Sequence, residues 1–342
     1  MAATLRDVAQ RAGVSIKTVS NVVHDYEHVT DEVRERVQQA LKELRYQPNL
    51  PARYLRTGHV GVLAFAIPNL SNPYFSDVGT AIIAAAAARS YTVLIDCTGG
   101  ERDNELRVLD GLRPHLIDGV ILSPLALEPG DLQARQGQAP LVLLGEHLLD
   151  TDVPYDHIAV GNVEAARLAT SHLLALGRRR IAAIGNLGTI AIMGGTGGQR
   201  RLCGYSEALA QAGLSVDPQL IVQVTSYSRL AGVHAMQQLL ALDQPPDAVF
   251  CFNDLLALGA MRTLHEGGYR IPEDVAVMGF DDIEEASFAM PSLSTVVPDK
   301  QRMGELAVSF LLERIEGTRT GPAERVEVPF HLMVRESTGK VT

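Results

Sequence analysis

The chain has 342 residues, 46% of them hydrophobic, and a formal net charge of −10 at pH 7. That length asks for two or three domains, and that hydrophobic share excludes disorder as the main state. No apolar run is long enough to span a bilayer, and the amino-terminal stretch MAATLRDVAQ has no secretory pattern, so a cytoplasmic protein without membrane contact is expected. Cys97, Cys203 and Cys251 lie far apart and match no metal spacing, and the ten histidines form no HExxH pair. Neither a metal nor a cofactor is expected, and the three thiols read as reduced, buried hydrophobes.

The charge is unevenly placed. Residues 1–58 carry nine Lys/Arg against seven Asp/Glu, whereas the remainder carries 21 against 33. The head and the acidic body therefore face different partners.

The head opens with Thr4 ahead of Leu5-Arg6-Asp7, the spacing of a capped helix start. Val8 and Ala12 share a face with Leu5, and Gly13 ends this helix. Ser15 caps a second helix that turns Val19, Val22 and Val23 inward. Ala9, Gly13 and Val19 are spaced as a helix-turn-helix requires: a close crossing, a tight turn and a wedge. A third helix from Thr30 carries Val33, Val37, Leu41 and Leu44 on one stripe. Next, YQPNLPARYLRTGH (46–59) reads as a short helix capped by Asn49, with Arg53 and Arg56 flanking Leu55. A basic helix with an exposed leucine suits a minor groove, where an apolar wedge unstacks a base step.

From residue 60 the pattern alternates β and α. VGVLAFAI, YTVLIDC, IDGVILSPL, APLVLLGE, HIAVGN, RRIAAIGN, LIVQVTS, DAVFCFND and VAVMGFDD read as strands with helical segments among them. Such alternation implies parallel sheets covered by helices, here two Rossmann-like lobes. Ligands of open parallel sheets sit beyond the carboxyl ends of the strands. That rule selects Asn69, Tyr74 and Phe75 after the first strand, and Glu146 after LVLLG. It also selects Asn253 and Asp254 after AVFCF, and Asp281 and Asp282 after VAVMGF. Carboxylates, amides and aromatic faces are the chemistry of polyol recognition. Asp254 and Asp282 are also placed to cap the helices that follow them. Two other functions share this body: a solute-binding protein, which would need export, and a Rossmann-like enzyme. The first strand is followed by AIPNLSNPYF, which lacks a GxGxxG turn, and no nucleophile–base pair emerges.

The segments TLRDVAQRAGVSIKTVSNVV, VT at 29–30 and RYQPNLPARYL resemble the head of the LacI/GalR family of transcriptional regulators. FCFNDLLALGAM (250–261), VMGFDD (277–282) and VPFHLMVRESTG (328–339) are similar to that family's later landmarks, in the same order. The resemblance implies an all-α helix-turn-helix DNA-binding head at 1–47 and a hinge helix at 48–59. It implies an α/β periplasmic-binding-protein-like core of two Rossmann-like lobes at 60–342. The first lobe is then about 60–158 with 292–320, and the second about 161–288 with 322–340. Crossovers fall near 158–162, 286–294 and 318–328.

The same resemblance assigns roles. Ile16, Lys17 and Asn21 take the base-reading positions, where lysine suits guanine and asparagine suits adenine. Thr4, Ser15, Thr18, Ser20 and His28 take the phosphate positions, and Ala52, Arg53 and Leu55 the minor-groove hinge. Phe75, Arg201, Tyr227, Asn253 and Asp281 form the effector set, with Asn69, Tyr74 and Glu146 beside it. The aromatic pair would sandwich a ring between lobes, with Arg201 and Asp281 as the polar clamp. The implied protein is no enzyme. It is a repressor, active as a homodimer on a near-palindromic double-stranded DNA operator, with a small-molecule effector of the sugar class.

Overall fold

A computed structural model describes residues 3–23, 29–46, 59–110, 116–137, 139–145, 154–186 and 197–339. The chain divides into two units, Met1–Val60 and Gly61–Thr342.

In the first unit, α1 (Leu5–Ala12) begins in a closed capping box. The Thr4 hydroxyl and backbone N–H both donate to Asp7 Oδ2 at 2.8 Å, and the Asp7 N–H donates back to Thr4 Oγ1 at 3.4 Å. Gly13, at φ +66°, ends the helix in the left-handed conformation that glycine adopts without a Cβ clash. Helix α2 (Ile16–Val23) starts at Ser15, whose Oγ accepts the Thr18 N–H at 3.0 Å. Helix α3 (Asp31–Glu43) starts after Thr30, which makes no side-chain capping bond. Val8, Ala9, Ala12, Val19, Val22, Val37 and Ala40 form the buried core, with Val23, Val33, Leu41 and Leu44 packed on its rim. The 49–56 segment read as a hinge helix lies outside the described residues.

The second unit holds two parallel sheets. The first lobe contains β1 (Val62–Ile67), α4 (Pro73–Ala87), β2 (Thr92–Cys97), α5 (Arg102–Leu109) and β3 (Gly119–Leu122). It continues with α6 (Pro129–Gln133), β4 (Leu141–Leu144) and β5 (Asp156–Val160). The chain then crosses over. The second lobe contains α7 (Asn162–Ala175), β6 (Ile181–Asn186), α8 (Gly197–Gln211), β7 (Ile221–Gln223), α9 (Arg229–Leu240) and β8 (Ala248–Cys251). It continues with α10 (Asp254–Glu266), β9 (Ala276–Phe280), α11 (Glu284–Phe288) and β10 (Ser294–Pro298). The chain returns for α12 (Lys300–Ile315) and β11 (Arg325–Val328) and ends the second sheet with β12 (Phe330–Met333).

The strand orders are β11-β5-β4-β3-β1-β2 and β12-β10-β9-β8-β6-β7. Among the described residues every pairing is parallel except β10 with β12. The strands β1, β3, β4, β5, β8 and β9 are buried along their whole length, as parallel strands covered on both faces must be. One apolar cluster runs through both lobes, from Leu63, Phe65 and Ile158 to Ala165, Phe250, Phe280 and Val296.

These pairings correct the lobe boundaries. The resemblance places about 292–320 in the first lobe and 322–340 in the second; α12 and β12 lie there, but 294–298 and 325–328 do not. Instead β10 pairs with β9 in the second sheet, and β11 pairs with β5 in the first. The crossovers therefore fall at 161, 299 and 329. Pro298, the last residue of β10 and opposite Phe330 on β12, has no N–H to donate to a neighbouring strand. Asp299 then caps α12, its Oδ1 accepting the Arg302 N–H at 2.8 Å. The cysteine expectation also changes: Cys251 is buried, but Cys97 on edge strand β2 and Cys203 on α8 are exposed. Among the described residues no helix is long and apolar enough to cross a membrane.

Candidate functional site

On the head, α2 buries Val19 and Val22 and turns its other face outward. Ile16 is 45% exposed and Lys17 is exposed, while Thr18, Ser20 and Asn21 are half-buried beside them. An exposed isoleucine next to a lysine has no packing role in the head core. Ser15 and Thr18 share a hydroxyl hydrogen bond of 2.8 Å at the start of α2. The Thr4 hydroxyl hydrogen is committed to Asp7, and the Thr4 N–H first, then this hydroxyl, hold the Asp7 carboxyl below its usual range. His28, Ala52, Arg53 and Leu55 lie outside the described residues.

In the body, the candidates stand beyond strand ends, as the sheet rule requires. Phe75 sits in the first turn of α4, half-buried, its ring 5.4 Å from that of Tyr74 at 71°. The Tyr74 hydroxyl donates to Met303 Sδ at 3.5 Å, which steadies the ring that backs Phe75. Asn69 is exposed and closes the preceding turn, accepting from the Ser71 hydroxyl and the Asn72 N–H at 3.0 Å each. Tyr227 is half-buried in the second lobe between β7 and α9 and packs on both apolar clusters there. The two aromatics thus belong to different lobes. Glu146 lies outside the described residues.

Arg201 projects from α8 and is 8% exposed. Its Nε donates to Asn162 Oδ1 at 2.5 Å, and its Nη1 donates to the Phe252 carbonyl. The guanidinium carbon lies 3.6 Å from the centroid of the Phe280 ring. A planar cation is thereby fixed in orientation by two acceptors and one aromatic face. Asn162 was not among the sequence candidates, although it follows β5 as Asn253 follows β8. The strand-end rule that selected Asn253 selects Asn162 equally. Its own Nδ2 donates to the Val160 carbonyl at 3.1 Å.

Asn253 caps α10, its Oδ1 accepting the Leu256 N–H at 3.0 Å. Its Nδ2 is buried and has no hydrogen-bond partner among the described residues. Asp254, expected to cap α10, does something else. Its Oδ1 accepts the Thr295 hydroxyl at 2.6 Å and its Oδ2 accepts the Ile283 N–H at 2.9 Å. Burial, and then the carboxylate of Asp281, push its carboxyl well above the usual range. Gly279 allows this approach, because a Cβ there would collide with Asp254 Oδ1. Asp282 does not cap α11 either; it pairs with Arg335 Nη1 at 2.8 Å. Asp281 is buried and stands in the second lobe with Arg201, so a clamp built from these two belongs to one lobe.

Glu105 on α5 is a second residue that sequence reasoning missed. Its buried carboxylate accepts three consecutive backbone N–H groups, from Leu125 at 2.8 Å and from Ala126 and Leu127 at 3.0 Å each. It anchors the loop beyond β3. Burial pushes its carboxyl up, against the lowering effect of those three donors. Nothing in ERDNELRV separates it from an ordinary solvated helix face.

Two family models match the chain: "Bacterial regulatory proteins, lacI family" over residues 4–49, and "Periplasmic binding protein-like domain" over residues 170–338. The HTH-type transcriptional repressor CytR of Escherichia coli (strain K12) is 32% identical over 338 residues, 98% of this chain and 96% of that protein. A lac repressor dimer bound to operator and the anti-inducer ONPF superposes with a TM-score of 0.83 at 28% identity, covering 99% of this chain and 100% of that one. A complex of the transcriptional regulator CelR with cellobiose gives 0.71 at 32% identity, covering 98% and 99%. The head match, the body match and a repressor related over nearly the full length make this chain a member of the lacI family of bacterial regulatory proteins.

Proposed function

We propose that the chain is a homodimeric transcriptional repressor that reads a near-palindromic operator with α2, and that a sugar in the interlobe cleft sets its grip on that operator. Ile16, Lys17 and Asn21 read base edges in the major groove. Ser15, Thr18 and Ser20, with His28, position the head on phosphates, while Thr4, whose hydroxyl and N–H both donate to Asp7, holds the start of α1 in place instead. Ala52, Arg53 and Leu55 enter the minor groove. The acidic body repels phosphate and confines DNA contact to the head.

The carrying observation for the cleft is Asn253: a buried amide nitrogen with no partner among the described residues, at a strand end in the lobe that holds Arg201 and Asp281. Leaving a buried donor unmade costs about 1–3 kcal/mol, which a hydroxyl-bearing ligand recovers. Phe75 and Tyr227 offer apolar faces for a sugar ring, and Arg201, Asn253 and Asp281 offer donors and acceptors for its hydroxyls. The cellobiose carried by CelR supports this ligand class. Asn69 and Tyr74 serve as supports of the Phe75 wall, and Glu146 remains a further acceptor candidate.

Dimerisation is supported by apolar side chains left in the open. Phe288 is 77% exposed and Met290 is 94% exposed on the second lobe, and Leu94 is 52% exposed on edge strand β2 of the first. A second copy would cover such faces, and the similar lac repressor is itself a dimer when bound to operator.

The test has two parts. Duplexes enriched from a random library by the full chain are measured by fluorescence anisotropy, with and without cellobiose, D-ribose and other common aldoses. Melting of the protein is followed with the same sugars, since a true ligand raises it by mass action. Enrichment of a near-palindrome whose affinity changes with one sugar supports the reading. No enriched duplex, or a protein indifferent to every sugar in both assays, overturns it.

A further inference from the structure

Asp281 and Asp282 follow β9 with φ of +115° and +51°, two consecutive side-chain-bearing residues in the half of backbone space that favours glycine. Such a turn persists only where its surroundings over-determine it. Three restraints come from the second lobe. The Asp281 N–H donates to the Val296 carbonyl at 2.9 Å, and the Ile283 N–H donates to Asp254 Oδ2 at 2.9 Å. Arg335 Nη1 stands 2.8 Å from Asp282 Oδ1.

A fourth restraint comes from the first lobe. Lys300 opens α12 immediately after the crossover at 299. Its Nζ donates to the Asp282 carbonyl at 3.0 Å and to Asp77 Oδ2 at 2.5 Å. Asp77 belongs to α4, two residues beyond Phe75. The Lys300 side chain is only 16% exposed, so the ammonium is partly shielded from water. An ammonium has three donors and no preferred plane, which lets one group serve acceptors on two bodies at once.

Resting on the cleft reading above, we propose that Lys300 is a positioning residue of the effector cleft: it ties the strained Asp281–Asp282 turn of one lobe to the Phe75-bearing helix of the other. The carboxylate and the aromatic wall then arrive in register. Motion of one lobe against the other is felt at Asp281 through this group.

The test needs no ligand. Hydrogen–deuterium exchange of the full-length protein reads the Asp281 and Ile283 amides, both hydrogen-bonded in the wild type. Lys300→Met keeps the stem and removes the ammonium; both amides should exchange at least about tenfold faster, with the melting point nearly unchanged. The paired change Asp77→Leu with Lys300→Met replaces the ion pair by an apolar contact between α4 and α12 and leaves no ammonium for the Asp282 carbonyl. Exchange at 281 and 283 should therefore stay raised. Unchanged exchange in Lys300→Met, or wild-type protection in the paired change, overturns the proposal. If Lys300→Met does not fold, the paired change decides alone. Indifference to all sugars with exchange still raised would remove the sugar reading and leave the tether standing.

Discussion

The Arg201 guanidinium is sandwiched by geometry rather than by charge: it lies 3.6 Å over the Phe280 ring, and its Nε and Nη1 are taken by neutral oxygens of Asn162 and Phe252. A ligand in the proposed cleft would therefore meet a cation already oriented, whose charge no carboxylate has cancelled at those two nitrogens. Arg201→Lys removes the planar fork. It should weaken sugar binding by about 1.5–3 kcal/mol, read by calorimetry with whichever aldose or cellobiose raises the melting point. Asn162→Ala should weaken it in the same direction through loss of orientation. Unaltered affinity in both variants would remove Arg201 from the cleft.

Lys17→Ala should cost about 1–3 kcal/mol on the selected operator and much less on random duplex. Anisotropy titrations on both duplexes at one fixed salt concentration check this. An equal loss on both would reassign Lys17 to phosphate contact.

These two sites were not equally legible. The head could be read locally: Thr4, Asp7, Gly13 and Ser15 act on neighbours within a few residues, and each stands where the spacing placed it. The β–α alternation was legible for the same reason. The crossovers were not, because STVVP makes an equally good strand in either sheet and only its long-range pairing with Ala276–Phe280 decides. Asp254 and Asp282 looked like helix caps because their true partners, Thr295 and Arg335, lie 41 and 53 residues away. Asn162 was legible and overlooked, whereas Glu105 was not, since its partners are backbone groups of a distant loop.

Asp254 should leave a mark on stability against pH. Its folded carboxyl titrates well above the unfolded value of 3.8, so above that pH the folded chain holds a proton that the unfolded chain lacks. Stability from this group is present at low pH and declines as pH rises from 3.8 toward the folded value. Asp254→Asn preserves the shape without the charge. It should flatten the melting-point profile above pH 3.8 and raise the melting point at the alkaline end. A profile as steep as the wild type would show that Asp254 is ionised in the fold.

Phe288→Asp with Met290→Asp should convert the dimer to monomer in sedimentation velocity while the melting point of the isolated chain holds. Operator affinity should fall with it, because two half-sites are then no longer held by one particle. A dimer that survives both changes would place the partner elsewhere.

Thr4→Ala should destabilise the head by about 1 kcal/mol, since one cap serves both ends of the box. Chemical denaturation monitored on residues 1–46 within the full chain checks it. No change would mean that Asp7 finds the helix start without its hydroxyl partner.

Among the described residues three passages of chain join the lobes, at 161, 299 and 329, and two of them are stitched together: the Asp299 N–H donates to the Pro329 carbonyl at 2.9 Å. The third runs close by, since a Cβ on Gly161 would stand 3.0 Å from Glu327 Oε2 and 3.4 Å from the Phe330 ring. Threads laid side by side bend easily about the line across them but oppose torsion and sliding. Such an arrangement would restrict the proposed cleft to gaping and shutting along a single path, so that a small chemical event inside it would be mechanically unambiguous.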